Sequence, residues 1–577
     1  MASHNKTSIA ITGSGGSGAV TTGLILLEAM AQAGFYGLMQ RSSGPQIRGG
    51  ESAVMLRFAD FELRGPGDAF DLWLALDWLK VRRFLDEIPL HGNSRVISDP
   101  EIGAPPDEVS SQQSTLLDLP LKQTAALIEN GRVNMVGLGV LAAMLGLSAA
   151  AMRKAIEKTL SAKGKDVIST SLAAIEAGMQ LIPAGSTPLT AGWQVTAGER
   201  WNISGNEACG LGALRGGVRF VAAYPITPAS DMLEWLAPNL EKVGGALLQA
   251  EDELASINMI VGASFGGVAS MTATSGPGLS LMLEGIGLAV ASETPITVLN
   301  VMRGGPSTGI PTKSEQADLN QALYGPHGEA PHLVLAPLGI RDAVFTTQWA
   351  VCLAERLQTA AIVLSDQSTG QARAIVSPVP ETDMPCTRLT AQAIDGEYRR
   401  YALTPDGISP MAIPGTPQGM YTADGLEHNE KGTPSSMAAD HHAQLCKRRD
   451  KLAQTDFGEH WADIDAAAET GTDTLLLTWG SATSVVTEAA GRLRDQGYRV
   501  TVVAVRLLMP LPLPRLKNAV AAAKNILVIE HNDSAQFYHY LMSLGAITAN
   551  AGSLARPGPL PLRPNEIVVA VTGDQHE

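Results

Sequence analysis

The stretch VRFVAAYPITPAS, residues 218–230, shows how the middle of the chain is built. It opens with a near-continuous apolar run, and a proline-rich turn then leads into residues that favour a helix. Further apolar runs follow, with helical sequence between them. Uninterrupted apolar runs of this kind are typical of parallel strands that are covered on both faces. We therefore predict a doubly wound parallel α/β sheet in residues 201–380, with strands in VRFVAAY, GALLQ, VASMTAT, PITVLNVM, HLVLAP and AAIVLS.

Two further α/β domains are expected, one on each side of this region. Residues 1–185 alternate strand-like and helical runs, and so do residues 466–577. Residues 186–200 lack periodicity and are interpreted as a linker. Residues 381–465 are rich in Pro, Gly and acidic residues, with a helix around MAADHHAQLCKRRDKL. This excursion is too long for an ordinary loop, so we expect it to pack on a neighbouring domain.

The composition restricts the classes of function. Of the 577 residues, 45% are hydrophobic and 17% are charged, which is typical of a compact globular protein. The net charge of −15 argues against nucleic acid and membranes as partners. The apolar run Val133–Met152 contains glycines and polar residues, so it is predicted to be a buried helix rather than a membrane span. The N-terminus shows no secretion signal, and a cytoplasmic location is expected.

The cysteines predict no metal site in this chain. The four of them, Cys209, Cys352, Cys386 and Cys446, are widely spread and form no C-x-x-C pair. Neither a disulfide framework nor a zinc or iron–sulfur site can be assigned from such spacing.

A glycine-rich loop follows the first predicted strand. In GSGGSGAV, residues 13–20, Gly13, Gly15 and Gly18 have the G-x-G-x-x-G spacing that lets a backbone approach a pyrophosphate. A dinucleotide site also needs an acidic residue about 20 positions later, and FYGLMQRSSG contains none. The favoured interpretation is a tight strand-to-helix turn, and a phosphate-bearing ligand such as coenzyme A is the alternative.

The second candidate region is the loop YPITPAS at the carboxyl end of VRFVAAY. Ligands of open α/β sheets bind at the carboxyl ends of strands. Pro228 suits the first position of a helix with Thr227 as its N-cap, and this capping role alone would explain Thr227. The loop is therefore either a ligand site or a helix start.

Glu253 is an unusual residue for its position. It shares a predicted helical face with Ile257 and Ile260, from which a carboxylate is ordinarily excluded. A carboxyl group among apolar side chains holds a proton more readily than one in water, so it can take part in proton transfer. The alternative is that Glu251, Asp252 and Glu253 form an acidic first turn favoured by the helix dipole.

Two further loops follow strands of the same predicted sheet. TSGPG, residues 274–278, follows VASMTAT, and RGGPSTGIPT, residues 303–312, follows PITVLNVM. Both offer backbone donors and small side chains at one sheet edge. Arg303 is a candidate to bind a carboxylate through two parallel hydrogen bonds, and a structural ion pair is the alternative.

Together these motifs carry a family resemblance. YPITPAS, QAEDELAS, TATSGPG, RGGPSTGIPT and YGPHGE occur in this order between residues 224 and 329. The series resembles the alpha subunit of 2-oxoacid:ferredoxin oxidoreductases, and most closely the 2-oxoglutarate type, 2-oxoglutarate synthase. The similarity continues through DGISPMAIPGT and EHNEKG, and residues 1–185 resemble the family's gamma domain, fused ahead of alpha.

The resemblance implies chemistry with thiamine diphosphate. Residues 201–380 would be the domain that binds the aminopyrimidine, and residues 466–577 would resemble the C-terminal domain of transketolase. A separate beta subunit would supply the diphosphate and Mg²⁺ site and a [4Fe–4S] cluster, in a dimer of alpha–beta heterodimers. Coenzyme A would take the acyl group of the 2-oxo acid, and ferredoxin would take the electrons.

The resemblance also implies roles for single residues. Glu253 falls where thiamine enzymes keep the glutamate that hydrogen-bonds N1′ of the aminopyrimidine. Thr227 and Arg303 match the substrate-facing positions and would hold the carboxylate of the 2-oxo acid, with Ser307 and Thr308 as additional contacts. Catalytic roles are implied for Glu253, Thr227 and Arg303. The other expected cofactor contacts are Tyr224, Pro225, Ile226, Thr274, Ser275 and Gly276.

Several alternatives stay open. The substrate is 2-oxoglutarate in the first hypothesis, and pyruvate or a broad range of 2-oxo acids in the second. A stand-alone NAD(P)-binding oxidoreductase rests only on the glycine loop, and a non-catalytic assembly subunit is the remaining alternative.

Overall fold

The computed structural model describes residues 5–44, 50–111, 114–195, 198–466 and 471–573. Residues 196 and 197 of the predicted linker lie outside the described residues, as do the first four residues of the chain. By residue contacts the chain divides into two compact units. The first unit comprises Met1–Ser204, Gln371–Pro378 and Leu560–Ile567, and the second comprises Gly205–Gly370, Val379–Pro559 and Val568–Glu577.

The N-terminal part of the chain contains strands and helices in alternation. Its strands are β1 (Lys6–Gly13), β2 (Tyr36–Ser43), β3 (Ser52–Ala59), β4 (Phe70–Ala75), β5 (Leu90–Ser98), β6 (Thr115–Asp118) and β7 (Trp201–Ser204). Its helices are α1 (Ala19–Gln32), α2 (Asp107–Ser110), α3 (Leu121–Ala126), α4 (Val133–Leu145), α5 (Ala149–Thr159) and α6 (Lys165–Met179).

The middle of the chain continues the alternation. Its strands are β8 (Phe220–Ala223), β9 (Ala246–Gln249), β10 (Ser270–Thr274), β11 (Ile296–Met302), β12 (Leu333–Leu335), β13 (Ala360–Asp366) and β14 (Arg373–Val376). Its helices are α7 (Gly205–Arg215), α8 (Ser230–Lys242), α9 (Glu253–Phe265), α10 (Gly276–Ala291), α11 (Leu319–Tyr324), α12 (Ile340–Leu357) and α13 (Gln367–Gly370).

The C-terminal part begins with a long helix. Its helices are α14 (Ala438–Ala453), α15 (Ala482–Asp495), α16 (Leu513–Ala521), α17 (Gln536–Ser543) and α18 (Pro564–Thr572). Its strands are β15 (Ala462–Asp465), β16 (Thr472–Trp479), β17 (Val500–Val505), β18 (Leu507–Met509), β19 (Ala523–Glu530) and β20 (Gly552–Ala555).

The first unit contains a mixed sheet in the order β6-β5-β4-β1-β3-β2-β14-β7. β1, β4, β5 and β6 are parallel, and β3, β2, β14 and β7 pair antiparallel to their neighbours. β7 and β14 fall inside residues 201–380, which the sequence assigned to the middle domain. They pair here because β2 would otherwise expose a row of unpaired backbone groups. The predicted domain limits stay predictions.

The apolar run Val133–Met152 is divided between two helices. α4 is buried along almost its whole length, Gly146 ends it in the left-handed conformation, and Ser148 caps α5 by accepting from the Ala151 amide. The prediction of a buried helix is thus confirmed for α4. Among the described residues no helix is both long and apolar enough to cross a membrane. The predicted cytoplasmic location stays a prediction.

The second unit contains the predicted parallel sheet. Its order is β18-β12-β13-β11-β10-β8-β9, and every pair is parallel except β12 with β18. The α/β prediction is confirmed, and the carboxyl ends of β9, β8, β10 and β11 lie side by side. The loops singled out in the sequence therefore meet at one edge.

A third sheet, also in the second unit, has the order β15-β17-β16-β19-β20. β17, β16, β19 and β20 are parallel, and β15 is antiparallel to β17. Gln316, which lies between β11 and α11, bonds to the ends of two strands of this sheet. Its backbone amide donates to the His531 carbonyl at 2.7 Å, and its side-chain oxygen accepts from the His531 amide at 2.8 Å. Its side-chain amide donates to the Trp479 carbonyl at 2.9 Å.

Residues 379–437, all of them described, contain no helix or strand and contact helix α12 of the second unit. Arg388 donates to both carboxylate oxygens of Glu355 at 2.9 Å, and both side chains are buried. A disulfide between Cys352 and Cys386, which the spacing in the sequence did not indicate, joins the same stretch to α12.

Candidate active site

The loop YPITPA lies at the carboxyl end of β8. Thr227 to Ala229 form a turn, and the amides of Ala229 and Ser230 donate to the Ile226 carbonyl at 2.8 and 3.1 Å. α8 begins only at Ser230, without a side-chain cap. The prediction that Thr227 caps the helix and Pro228 starts it is therefore wrong, because both residues belong to the preceding turn.

The first two residues of this loop are open to solvent. Tyr224 is 41% exposed and Pro225 is also exposed, whereas Ile226 and Thr227 are half-buried. The loop thus presents a surface at the sheet edge where a ligand is expected.

Glu253 is the first residue of α9 and is only 7% exposed. Capping of α9 is performed by Asp252, whose carboxylate accepts from the Ala255 amide at 2.7 Å. Glu253 instead turns inward with Ile257 and Ile260, which are buried. In the part of the chain that the structure describes, no hydrogen bond or ion pair reaches its carboxylate. The alternative of a merely acidic first turn does not explain this burial.

The start of α10 lies directly against Glu253. A methyl group on Gly278 would lie 2.7 Å from both Cγ and Oε1 of Glu253 and 2.1 Å from Oγ1 of Thr274. The approach therefore requires glycine. Ser275, which precedes α10, is fully buried, and its Oγ has no hydrogen-bond partner among the described residues. The structure thus brings together three of the predicted cofactor-binding residues, Glu253, Thr274 and Ser275.

Arg303 follows β11 and is 7% exposed. Its Nη1 donates to the Thr227 carbonyl at 2.6 Å, and its Nε is buried without a partner. Burial lowers the pKa of Arg303, and the negative charge of Asp318 opposes this effect. Within the described ranges no carboxylate lies within 4 Å of the guanidinium, so the predicted alternative of a structural ion pair is not what holds it.

Asp318 and Asn300 belong to the same site and were not singled out in the sequence. Asn300 of β11 donates to Oδ2 of Asp318 at 2.9 Å, and a methyl group on Gly276 would lie 2.8 Å from that same oxygen. Burial raises the pKa of Asp318, whereas the bond from Asn300 and the charge of Arg303 oppose the rise. Asn300 could have been recognised in the sequence as a polar residue inside an apolar strand, but no sequence feature marks Asp318.

Ser307 and Thr308 lie elsewhere, at the exposed tip of the loop after Arg303. The base of this loop is closed by the Ile310 amide, which donates to the Gly304 carbonyl at 2.8 Å. No hydrogen bond in the described chain connects Ser307 or Thr308 with Arg303. Their role as substrate contacts stays a prediction.

The glycine loop of the first unit is bonded internally at Ser14, whereas Oγ of Ser17 is buried without a partner among the described residues. The amide and hydroxyl of Ser14 both donate to the Asp77 carboxylate at 2.8 Å. Gly18 has φ 86°, and a methyl group there would lie 2.5 Å from the side-chain nitrogen of Asn134. A carboxylate thus occupies donors that a phosphate would need, which favours the interpretation as a tight turn.

Comparison with known proteins agrees with this geometry. Residues 211–448 match the family model "Pyruvate flavodoxin/ferredoxin oxidoreductase, thiamine diP-bdg". The "2-oxoglutarate synthase subunit KorA" of Methanothermobacter marburgensis is 33% identical over 65% of this chain and 99% of that protein. The chain belongs to the 2-oxoacid:ferredoxin oxidoreductase family.

Further matches extend this family assignment over nearly the whole chain. Residues 8–181 match "Pyruvate ferredoxin/flavodoxin oxidoreductase", and residues 472–547 match "Pyruvate:ferredoxin oxidoreductase core domain II". The "2-oxoglutarate oxidoreductase subunit KorA" of Mycobacterium tuberculosis is 32% identical over 80% of the chain and 75% of that protein. A solved 2-oxoglutarate:ferredoxin oxidoreductase from Magnetococcus marinus is 36% identical, with a TM-score of 0.91 and 99% of each chain covered.

Proposed function

We propose that this chain is the alpha subunit, with a fused gamma domain, of a 2-oxoglutarate:ferredoxin oxidoreductase. The reaction interconverts 2-oxoglutarate and coenzyme A with succinyl-CoA and CO₂, coupled to reduction of ferredoxin. The observation that carries the proposal is the buried, unpaired carboxylate of Glu253 at the glycine-lined start of α10. The Magnetococcus marinus enzyme, described with 2-oxoglutarate, coenzyme A and succinyl-CoA bound, supports the choice of substrate.

The residues at this sheet edge fit an aminopyrimidine ring. A buried carboxylate without a partner needs a hydrogen-bonding group to offset its loss of hydration. Ser275 Oγ lacks a partner in the described structure, and Gly276 and Gly278 place no side chain there. Thiamine diphosphate, when bound, would supply a nucleophilic carbon for the keto group and a positively charged ring that takes up the electron pair released with CO₂.

Glu253 would hold a proton at N1′ of the aminopyrimidine. Its burial keeps that proton between the carboxylate and the ring, because water is excluded from the contact. The backbone of Tyr224, Pro225 and Ile226, together with Thr274, would complete the contacts to the cofactor.

Arg303 would bind the carboxylate of the 2-oxo acid. Its Nη1 is engaged with the Thr227 carbonyl, and its buried Nε hydrogen has no partner in the described chain, so a carboxylate oxygen that reaches Nε would complete its hydrogen bonding. A charge-assisted bond of this kind is about twice as strong as a neutral one. Thr227, on the loop that Arg303 contacts, is the proposed second substrate contact.

A beta subunit is the proposed partner, and the diphosphate, Mg²⁺ and [4Fe–4S] sites are assigned to it. α9 and α10, which carry Glu253 and Gly278, also present apolar side chains to solvent: Leu254 is 51% exposed and Leu281 is 49% exposed. Apolar surface beside a site is typical of a face that another protein covers. We further propose a dimer of alpha–beta heterodimers that delivers electrons to ferredoxin.

The proposal is tested with the chain coexpressed with its beta partner. Glu253→Gln should lose most turnover with 2-oxoglutarate, coenzyme A and ferredoxin while the assembly stays intact by size-exclusion chromatography. Glu241→Gln, an exposed glutamate near the C-terminal end of α8, is the matched control and should keep wild-type turnover. Full activity of Glu253→Gln would contradict the assignment of Glu253. A higher kcat/KM for pyruvate than for 2-oxoglutarate would favour the pyruvate or broad-specificity alternative.

A further inference from the structure

Two buried side chains hold consecutive carbonyl groups of the loop after β8. Arg303 Nη1 donates to the Thr227 carbonyl at 2.6 Å, and Asn206 Nδ2 donates to the Pro228 carbonyl at 2.8 Å. Asn206 is fully buried and Arg303 nearly so. One donor comes from the start of α7 and the other from the end of β11. The loop backbone is therefore fixed from two separate elements of the fold.

Asn206 is itself held rigidly. A methyl group on Gly205 would lie 2.1 Å from the Thr369 carbonyl oxygen, so the start of α7 packs tightly on α13. A methyl group on Gly370 would lie 2.7 Å from Oδ1 of Asn206. That Oδ1 has no hydrogen-bond partner in the described structure. Among the described residues, the Asn206 side chain therefore acts on the loop through its bond to the Pro228 carbonyl.

The bonds that the loop makes within itself do not replace these two. The amides of Ala229 and Ser230 both return to the Ile226 carbonyl and connect the loop to α8. Pro228 is buried, so no solvent water replaces the lost donor of its carbonyl if Asn206 is removed. A buried carbonyl left without a donor is unfavourable, and the loop is expected to move until the group finds water.

We propose that Asn206 is a positioning residue, which fixes the loop backbone from which Thr227 projects and thereby the substrate contact of Thr227. This inference rests on the proposed function. Arg303 then has two tasks, because the guanidinium that receives the substrate carboxylate also holds the neighbouring carbonyl of the same loop. Because Asn206 holds the Pro228 carbonyl, the loop stays in place when Arg303 binds the substrate carboxylate.

The first test is hydrogen exchange on the full chain with its beta partner and without substrate. Asn206→Ala, and the similarly sized Asn206→Leu in case the smaller variant folds poorly, should increase exchange at the Ala229 and Ser230 amides about 5- to 150-fold. Asn258→Ala is the matched control, because Asn258 is exposed and, among the described residues, its side chain bonds only the Leu254 carbonyl of its own helix. Unchanged exchange in both Asn206 variants would overturn the proposal.

The second test separates positioning from general loss of stability. Asn206→Ala should lower kcat/KM for the 2-oxo acid about 5- to 150-fold in the wild-type background. In a Thr227→Val background the further loss should be less than about threefold, because the hydroxyl that Asn206 positions is already absent. Equal losses in the two backgrounds would overturn the positioning role. The exchange experiment needs no substrate, so its outcome does not depend on whether 2-oxoglutarate is the substrate.

Discussion

Replacing Glu293 by glutamine should loosen α14 from the turn between α10 and β11. Glu293 is fully buried and accepts hydrogen bonds from Lys447 at 2.6 Å and from Lys451 at 3.0 Å. Both lysines are about 1% exposed. A neutral glutamine leaves two ammonium groups buried without a counter-charge. Removing one partner of a buried ion pair costs about 3–5 kcal/mol.

Hydrogen exchange of the α14 amides measures this loss. Each 1.4 kcal/mol is a factor of ten, so 3–5 kcal/mol corresponds to exchange about two to four orders of magnitude faster if α14 exchanges by local opening. Burial lowers the pKa of Lys447 to about 8, so the effect of Glu293→Gln should be larger at pH 6 than at pH 9. Glu397→Gln in an exposed pair with Lys431 is the control and should leave exchange unchanged. Unchanged protection of α14 in Glu293→Gln would refute the reasoning.

The wild-type cluster should also respond to acid. Burial alone raises the pKa of Glu293, but the charges of Lys451, Lys447 and Arg400 outweigh it and hold the pKa below its ordinary value of 4.5. A carboxyl group with a lowered pKa in the folded state stabilises the fold above its unfolded value. Protection of α14 should therefore decrease as the pH falls below about 4.5, and a flat profile would argue against the charged cluster.

Two further predictions follow from close contacts. Gly278→Ala should reduce turnover at least tenfold, because the added methyl group would clash with Glu253 and Thr274. Gly287→Ala on the same helix is the control: its methyl group meets no atom within 4 Å, so this variant should be active. Equal activity of the two variants would contradict the described approach of α10 to Glu253. Under non-reducing native conditions a thiol reagent should label Cys446 but neither Cys352 nor Cys386, as mass spectrometry of peptides can show. Labelling of Cys352 or Cys386 would contradict the disulfide.

The parallel sheet and most of its site could be predicted from local sequence. Uninterrupted apolar runs indicated strands covered on both faces, and the carboxyl-end rule then placed Glu253 and Arg303 at one edge. Glu253 was recognisable because a charged residue on an apolar helix face needs a reason to be there. Each of these features depends on residues that are close to one another in the sequence, which is why sequence analysis finds it.

The wrong prediction for Thr227 and Pro228 and the missed residue Asp318 both depend on contacts between residues that are distant in sequence. Thr227 and Pro228 have the residue types of a helix start, but Arg303 and Asn206 bind their carbonyls and the helix begins later. Asp318 has no local pattern at all, since its place in the site comes from Asn300 on another element.

Strand β14 has a consequence for how the protein is synthesised. β2 ends at Ser43, and its neighbour β14 begins only at Arg373. At about 5–20 residues per second, the ribosome needs roughly 15–65 s to deliver the missing strand. During that interval one edge of the nascent N-terminal sheet has no partner, which is a template for aggregation. Slow translation of the middle of the gene, or a shortage of chaperones, should therefore reduce the yield of this protein, because the unpaired edge of β2 then stays exposed for longer.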